Sequence, residues 1–377
     1  MSVKIKKGSE AEMAAVLDTV DRAVAELRRG SAVVVLSGTG SVLARPAETI
    51  NSGPLPFFAR PGIGKVSVAV TGRRAAILGL ASPAAPAVIL QKNDGFSPQT
   101  ILELIDPKAG DQGPIPPEGV TSQIKGRESA EHTAIRLTKI ARLLPAVVVA
   151  PITADDAAAW AIANNRAIVS STAVQAYDRL QADTLVPVSE ARVPLAGCEN
   201  TKIIAFRPRD GGAEHLAIII GETDASIPVL TRLHSECFTG DLLGSLKCDC
   251  GDQLRGAISA IAEGGSGVLL YLAQEGRGIG LVNKLRAYEL QEKGFDTIDA
   301  NEQLGFDDDE RIYLPAVQML ASLGINKVKL LTNNPAKVGA LARHGIAVTE
   351  RVAHVFPSNQ HNWSYLDTKS KRSGHLF

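Results

Sequence analysis

Residues 267–286, GVLLYLAQEGRGIGLVNKLR, carry the clearest structural signal in the chain. The first six residues form an uncharged apolar run of strand length, which predicts a buried β-strand. Gly276, Gly278 and Gly280 predict a turn, and we expect a helix to follow through Lys284 and Tyr288. A buried strand that passes through a glycine-rich turn into a helix is the basic unit of layered α/β architecture.

The same alternation of strands and helices extends in both directions. Predicted strands cover residues 32–36, 66–70, 146–150, 215–221 and 328–331, and predicted helices cover residues 10–29, 131–144 and 253–263. Proline and glycine between Ser82 and Arg127, including the run at 113–117, predict a long loop or lid. The pattern breaks over residues 181–199, and a chain of 377 residues usually forms two domains. We therefore expect an α/β fold, in α+β layers, with two domains that each contain a mixed sheet and surrounding helices.

Composition excludes several classes of partner. Lys plus Arg number 40 and Asp plus Glu number 40, so that no net field attracts nucleic acid or an anionic membrane. Aromatic residues make up only 4%, too few for base-stacking platforms. No apolar run reaches the length of a membrane span, and the N-terminus lacks the apolar core of a signal peptide. With four cysteines, this pattern predicts a cytoplasmic protein with reduced thiols.

Three of the four cysteines lie close together in the sequence: Cys237, Cys248 and Cys250. Charges and a glycine surround the last two, which predicts a turn near the surface. Three thiolates with one open position are a ligand set for a catalytic zinc, whose fourth ligand is water. Cys198 could instead close a structural four-cysteine site, and free thiols or a disulfide are further alternatives.

Two polar turns and an acidic run offer candidate ligands for a phosphate. The turn from Gln274 to Gly280 places Arg277 at a helix N-terminus, and Lys284 and Arg286 follow in the helix; this setting attracts anions, although glycines often only shape turns. The segment 332–337, TNNPAK, follows a strand, where ligands gather in open α/β sheets, or is an ordinary Asn-Pro turn. The run at 307–311, DDDER, is typical of a solvated loop, but beside zinc it could supply a proton acceptor and a phosphate contact.

As an ordered set, these segments resemble GTP cyclohydrolase II, the enzyme of the first committed step of riboflavin synthesis. The resemblance runs from about Val193 to Phe377 and rests on residues 232–237 (RLHSEC), 240–241 (GD), 248–251 (CDCG), 274–277 (QEGR), 305–306 (GF) and 332–335 (TNNP). Residues 365–369 and 374–376 match the family's ending. Two positions depart from the family pattern: Ile312 replaces an acidic residue after Arg311, and Ala273 replaces an arginine.

The resemblance implies a role for each matching residue. One zinc ion per chain would be held by Cys237, Cys248 and Cys250, and Mg²⁺ would accompany the triphosphate. Water activated by zinc would open the imidazole ring of guanine and release formate, with Asp309 as proton acceptor and Arg311 at the α-phosphate. The implied GTP-binding residues are Arg232, Leu233, His234, Ser235, Glu236, Gln253, Glu275, Gly276, Arg277, Tyr288, Thr297, Thr332 and Lys337.

The first half resembles dihydroxybutanone-phosphate synthase more faintly, through residues 23–36, 47–50 and 140–146. That enzyme needs an acidic loop after its first strand to hold magnesium, but residues 37–45 contain no carboxylate. We therefore expect a degenerate synthase domain over residues 1–185 and a catalytic domain over residues 190–377, and we expect the chain to form a homodimer. A bifunctional enzyme and a nucleotide-binding regulatory protein without turnover are the alternatives.

Overall fold

The computed structural model describes residues 10–50, 56–108, 118–360, 362 and 371–372. The chain divides into two compact units. The first contains the described residues up to Leu180 together with Asp299–Asp309, and the second contains residues 181–298 and the described residues from Glu310 onward. The run at 113–117 and the family-like endings at 365–369 and 374–376 lie outside the described residues.

The first unit is built on a seven-stranded mixed sheet in the order β5-β4-β3-β6-β2-β1-β7, in which only the β1–β7 pair is parallel. Its strands are β1 (Val33–Ser37), β2 (Gly40–Pro46), β3 (Ser67–Val70), β4 (Ala87–Lys92), β5 (Val120–Lys125), β6 (Ala146–Pro151) and β7 (Ile168–Ser170). The helices in this part of the sequence are α1 (Glu10–Arg28), α2 (Gly72–Ile77), α3 (Pro98–Ile105), α4 (Ala130–Ile140), α5 (Ala157–Ala163) and α6 (Ser171–Asp183). The apolar faces of α1 and α4 share one core with β1, β2 and β6.

Two sequence expectations for this unit are wrong. The predicted loop from Ser82 to Arg127 contains β4, α3 and β5. The sequence signal is weak because β5 is largely exposed and polar, and its strand form depends on antiparallel pairing with β4. The expected loop at residues 37–45 is also wrong. These residues form a tight hairpin, in which Ser37 pairs with Gly40 and β2 follows directly.

The second unit also contains a seven-stranded mixed sheet, in the order β14-β13-β11-β12-β10-β9-β8. Its strands are β8 (Val186–Arg192), β9 (Thr201–Arg207), β10 (His215–Ile220), β11 (Val229–Ser235), β12 (Gly267–Leu272), β13 (Lys327–Leu331) and β14 (Ala347–Val352). The helices in this part of the sequence are α7 (Cys250–Glu263), α8 (Leu281–Glu292), α9 (Thr297–Gln303), α10 (Leu314–Ser322) and α11 (Pro335–Arg343). The predicted α/β class with two mixed sheets is confirmed.

Three neighbouring strands of the second sheet place the chemically interesting segments together. β12 is apolar throughout because Val268, Leu270 and Leu272 belong to one core and Leu269 to the core on the opposite face. β11 lies between β12 and β13 and runs parallel to both, so that the carboxyl ends of all three strands meet at one edge. In the described part of the chain, no helix is long and apolar enough to cross a bilayer.

Candidate metal centre and active site

The three clustered cysteines meet just beyond the end of β11. Cys237 follows that strand, Cys250 begins α7, and a π-helical turn at Phe238–Leu242 starts the connection between them. The Sγ atoms of Cys237, Cys248 and Cys250 all lie within 4.8 Å of one another, and those of Cys237 and Cys248 are 3.7 Å apart. Cys198 is outside this group and contacts Thr201 in a separate apolar core.

The surroundings of the thiols fit a bound metal ion. A Cβ at Gly240 would lie 2.8 Å from Cys248 Sγ and 3.1 Å from Cys237 Sγ, so that only glycine fits between them. Three soft sulfur donors favour zinc over magnesium or calcium, which prefer oxygen. The predicted turn is present at residues 246–247, but its predicted surface location is wrong for Cys248, which is buried, as is the neighbouring Asp249.

A buried lysine balances the charge of the cluster. Lys284 Nζ donates to Cys237 Sγ at 3.0 Å, to Thr239 Oγ1 at 3.0 Å and to Glu275 Oε1 at 2.8 Å. Glu275 in turn accepts from the Phe238 amide at 2.6 Å. Burial opposes the charge on Lys284, but the hydrogen bonds with Cys237 and Glu275 outweigh it and raise the pKa of the ammonium.

The thiols share negative charge unequally when no metal is bound. Hydrogen bonds from Cys248 and Cys250, with Lys284 nearby, lower the pKa of Cys237 well below its ordinary value. The hydrogen bond with Cys237 raises the pKa of Cys248 to about 11, and the pKa of Cys250 is also raised. Cys237, which accepts a hydrogen bond from Lys284, is therefore the thiol whose ionisation the surroundings favour most, and a bound cation would favour ionisation of all three.

Asp241 organises the end of β11. Its carboxylate accepts from the Cys237 amide at 3.0 Å and from the Tyr271 hydroxyl at 2.9 Å, and it lies 3.0 Å from His234 Nε2. The His234 ring stacks on Tyr271, and its buried Nδ1 has no hydrogen-bond partner among the described residues. Burial lowers the pKa of His234, so that its imidazole is neutral near pH 7.

Two buried cations, Arg232 and Lys337, connect β11 to the neighbouring elements β13, α7 and α11. Arg232 donates to the Leu331 carbonyl at 3.0 Å and to Gln253 Oε1 at 2.5 Å, and Gln253 donates to Asp249. Burial lowers the pKa of Arg232 to about 10, which still leaves it charged at neutral pH. Lys337 donates to the Leu233 carbonyl at 2.8 Å. β11 and α11 are thus joined through a charged group close to the polar edge.

The predicted Thr332–Lys337 turn caps α11 and contacts the end of the sheet. Thr332 Oγ1 accepts a hydrogen bond from the backbone N–H of Asn334. The side-chain Oδ1 of Asn334 accepts from the Ala336 N–H and so caps α11. Asn333 exchanges two hydrogen bonds with the backbone of His354, at 2.6 and 2.9 Å, and His354 Nε2 lies 2.8 Å from the Gln253 carbonyl.

The glycine-rich turn after β12 is tightly folded. Gly276, Arg277, Gly278 and Gly280 all have positive φ, which for Arg277 (φ 58°) is a strained left-handed conformation. The Arg277 carbonyl accepts from the Glu310 amide, and Gln274 links Ser235 Oγ to the Ile312 amide at 3.0 and 3.2 Å. The turn therefore fixes the backbone on both sides of Arg311.

The remaining predicted residues occupy varied positions. The Leu233 side chain is in the apolar core, Glu236 N bonds the Leu272 carbonyl, and Thr297 begins α9. The Tyr288 ring lies beneath Lys284 and Lys247, at 5.7 and 5.2 Å. Asp309 is exposed and belongs to the first unit, whereas Arg311 belongs to the second and lies 5.9 Å from the Tyr313 ring.

Three groups of this site were assigned no role from the sequence: Asp241, Tyr271 and His354. The only sequence feature that pointed to Asp241 was its place in the family-like Gly240-Asp241 pair. Tyr271 is in an apolar strand and His354 follows β14, and neither sequence context indicates a polar contact.

Comparisons with known proteins agree on one family. The sequence model described as GTP cyclohydrolase II matches residues 186–353. The "GTP cyclohydrolase-2" of Azospirillum brasilense is 52% identical over 369 residues, 96% of this chain and 95% of that protein. The "Riboflavin biosynthesis protein RibBA" of Aquifex aeolicus is 36% identical over 401 residues, 96% of this chain and 98% of that protein.

Among solved structures, the chain matches RibBX, a two-domain 3,4-dihydroxy-2-butanone 4-phosphate synthase from A. baumannii, at 16% identity and a TM-score of 0.36, over 83% of this chain and 93% of that one. This likeness is too slight to bear on function. The identity to the Azospirillum protein extends over nearly the whole of both sequences, and the family model spans the cysteine cluster and the polar strand ends. The chain belongs to the GTP cyclohydrolase II family.

Proposed function

We propose that residues 190–377 form a zinc-dependent GTP cyclohydrolase II. The reaction hydrolyses GTP to 2,5-diamino-6-ribosylamino-pyrimidinone 5′-phosphate, formate and pyrophosphate. The observation that carries this proposal is the convergence of three thiols with Arg232, Lys284 and Lys337 beyond the carboxyl ends of β11, β12 and β13. When bound to the thiols, zinc supplies Lewis acidity and activates water at neutral pH.

The residues of the chain bind and orient the nucleotide. The proposed GTP ligands are those implied by the family resemblance, from Arg232 to Lys337. Arg277 and Lys337 provide positive charge for a triphosphate that carries Mg²⁺. Neutral His234, held by Asp241, can act as a hydrogen-bond donor or acceptor without adding charge beside the metal ligands.

Asp309 and Arg311 are proposed to serve different hydrolyses, which gives the test of this function. Asp309→Ala should slow formate release roughly a hundredfold or more, the scale of general acid–base catalysis. Arg311→Ala should abolish pyrophosphate release. Formate and pyrophosphate are measured independently at saturating GTP and Mg²⁺, with zinc content as the control, since neither residue is a ligand. Wild-type rates in both variants would remove these residues from the mechanism.

For the first half we propose a degenerate synthase domain over residues 1–185. Residues 37–45 offer no carboxylate, and Glu48 just beyond them accepts from the Leu144 amide at 2.6 Å. The name RibBA of the Aquifex relative keeps a bifunctional enzyme as the second candidate. A homodimer, and a cytoplasmic location, complete the proposal.

A further inference from the structure

One segment, which begins within α9 and ends two residues before Arg311, belongs to the first unit although the family model includes it. Residues 299–309 lie within the matched range 186–353. The segment contains Gly305 and Phe306, a family-like pair to which the proposed function gives no role, and it ends at Asp309. Phe306 is buried at 1% exposure, which indicates an ordered segment rather than a solvated loop.

Arg74, at 2% exposure, fixes the start of this segment through a buried guanidinium. Its Nη1 donates to the Gln303 carbonyl at 2.9 Å, at the end of α9. Its Nε and Nη2 donate to the carbonyls of Leu104 and Glu103, at 2.7 and 3.3 Å, at the end of α3. One cation therefore satisfies carbonyls at two helix C-termini, where positive charge is favourable.

Thr71 fixes the next residues. Its hydroxyl accepts from the Arg74 amide as the N-cap of α2 and donates to the Gly305 carbonyl at 2.7 Å. Gly305 has φ +86°, and a Cβ there would lie 3.0 Å from Thr71 Oγ1 and 3.2 Å from Pro145 Cγ. The glycine is thus required both by its backbone conformation and by close packing.

Arg73 adds an ion pair on each side of Phe306. Its Nη1 lies 2.9 Å from Glu302 Oε1, and its Nε lies 3.1 Å from Asp307 Oδ1. Lys139 of α4 lies 3.6 Å from the other oxygen of Asp307. Asp307, which both cations hold, is only two positions before Asp309.

We propose that Thr71, Arg73 and Arg74 anchor residues 302–307 and so hold in place Asp309, the proton acceptor of the proposed function. The proposal rests on the proposed function for its catalytic consequence. These three are positioning residues, because they touch the segment and not the reacting groups.

The test uses the full chain with Arg73→Ala, which removes two half-exposed ion pairs without opening the core. Arg136→Ala is the matched control, because Arg136 forms an ion pair of similar exposure in the same unit, with Asp178 rather than with the segment. Hydrogen–deuterium exchange of the peptide spanning 299–309 is measured first. Arg73→Ala should exchange faster there, and Arg73→Lys should restore part of the protection.

The second readout is kinetic. Arg73→Ala should lower kcat for formate release about tenfold with KM and zinc content unchanged, and it should have little further effect in an Asp309→Ala background. Unchanged exchange, wild-type kcat, or equal losses with and without Asp309 would each overturn the proposal. Because the exchange readout needs no turnover, failure of the anchor and failure of the proposed cyclohydrolase activity are distinguished.

Discussion

Lys284 contacts the proposed metal site without being one of its ligands. Its ammonium contacts Cys237 Sγ and Glu275 in a buried environment. Three thiolates around a divalent cation leave one negative charge in excess, and a hydrogen-bonded cation offsets it. Groups that hydrogen-bond to metal ligands commonly change metal affinity by ten- to a hundredfold.

Lys284→Met should therefore weaken zinc binding by about ten- to a hundredfold. Methionine keeps a similar volume but cannot donate to Cys237 or pair with Glu275. The measurement is competition with a chromogenic chelator at fixed pH, and cobalt substitution with the thiolate absorption band as reporter gives a second readout. Arg286→Met, on the same helix and bonded to Asn283, is the control and should retain full affinity. Equal affinity in all three proteins would contradict the role of Lys284.

Among the elements, the π-helical turn at Phe238–Leu242 packs directly against the cysteine cluster. Gly240 lies at its centre, donates to Cys237 Sγ at 3.3 Å and faces the other two cysteines. A methyl group here would press on two sulfur positions at once, and overpacking of this kind typically costs about 1–3 kcal/mol.

Gly240→Ala should lower zinc affinity at least tenfold while the sheet stays folded. Circular dichroism checks the fold and titration with zinc measures affinity. Gly38→Ala, where a Cβ would meet no atom within 4 Å, serves as a control for a tolerated glycine substitution. If Gly240→Ala binds zinc like the wild type, the turn is not what brings the sulfur atoms together.

The elements predicted best from the sequence are those with a regular apolar pattern. β12 has the predicted bounds Gly267–Leu272, and α1 ends one residue before the prediction. β11 was not predicted as a strand because Arg232 and His234 interrupt its pattern, and their burial depends on partners from β13, α7 and the cysteine loop. Polar contacts of this kind arise from tertiary packing, and local sequence carries little signal for them.

The site was predictable as a set of segments but not as a network. The three cysteines stand out by their spacing, and the structure brings them together. By contrast, the link from Lys284 to Cys237 joins residues 47 positions apart, and Asp241 to Tyr271 joins residues 30 positions apart. Such contacts depend on which strands are neighbours, which periodicity does not reveal.

At the scale of the whole molecule, the first unit has the size and sheet of a complete domain but lacks obvious cation ligands at its first hairpin. The Ser37 and Thr39 hydroxyls hydrogen-bond to each other, and Ser37 also donates to the Gly40 carbonyl. The polar groups of this turn therefore hydrogen-bond within the turn itself. Among the described residues, the cysteine cluster is the only group of three or more His, Cys, Asp or Glu side chains placed to share an ion.

The full chain should therefore release no formate from ribulose 5-phosphate and Mg²⁺. GTP is left out of this assay, because the proposed cyclohydrolase reaction also produces formate. Formation of a four-carbon sugar phosphate above background would instead establish a bifunctional enzyme and refute the degenerate assignment of residues 1–185.

The central claim is that the cysteine cluster holds a catalytic zinc, and its most direct test is to measure zinc content and formate release from GTP on the same preparations of wild type, Cys248→Ser and Cys198→Ser. We expect about one zinc per chain and formate release in the wild type and in Cys198→Ser, and loss of both in Cys248→Ser. Equal loss of zinc in the two variants would indicate a closed four-cysteine structural site and contradict the claim. Fully zinc-loaded wild type that releases no formate from GTP would contradict it as well.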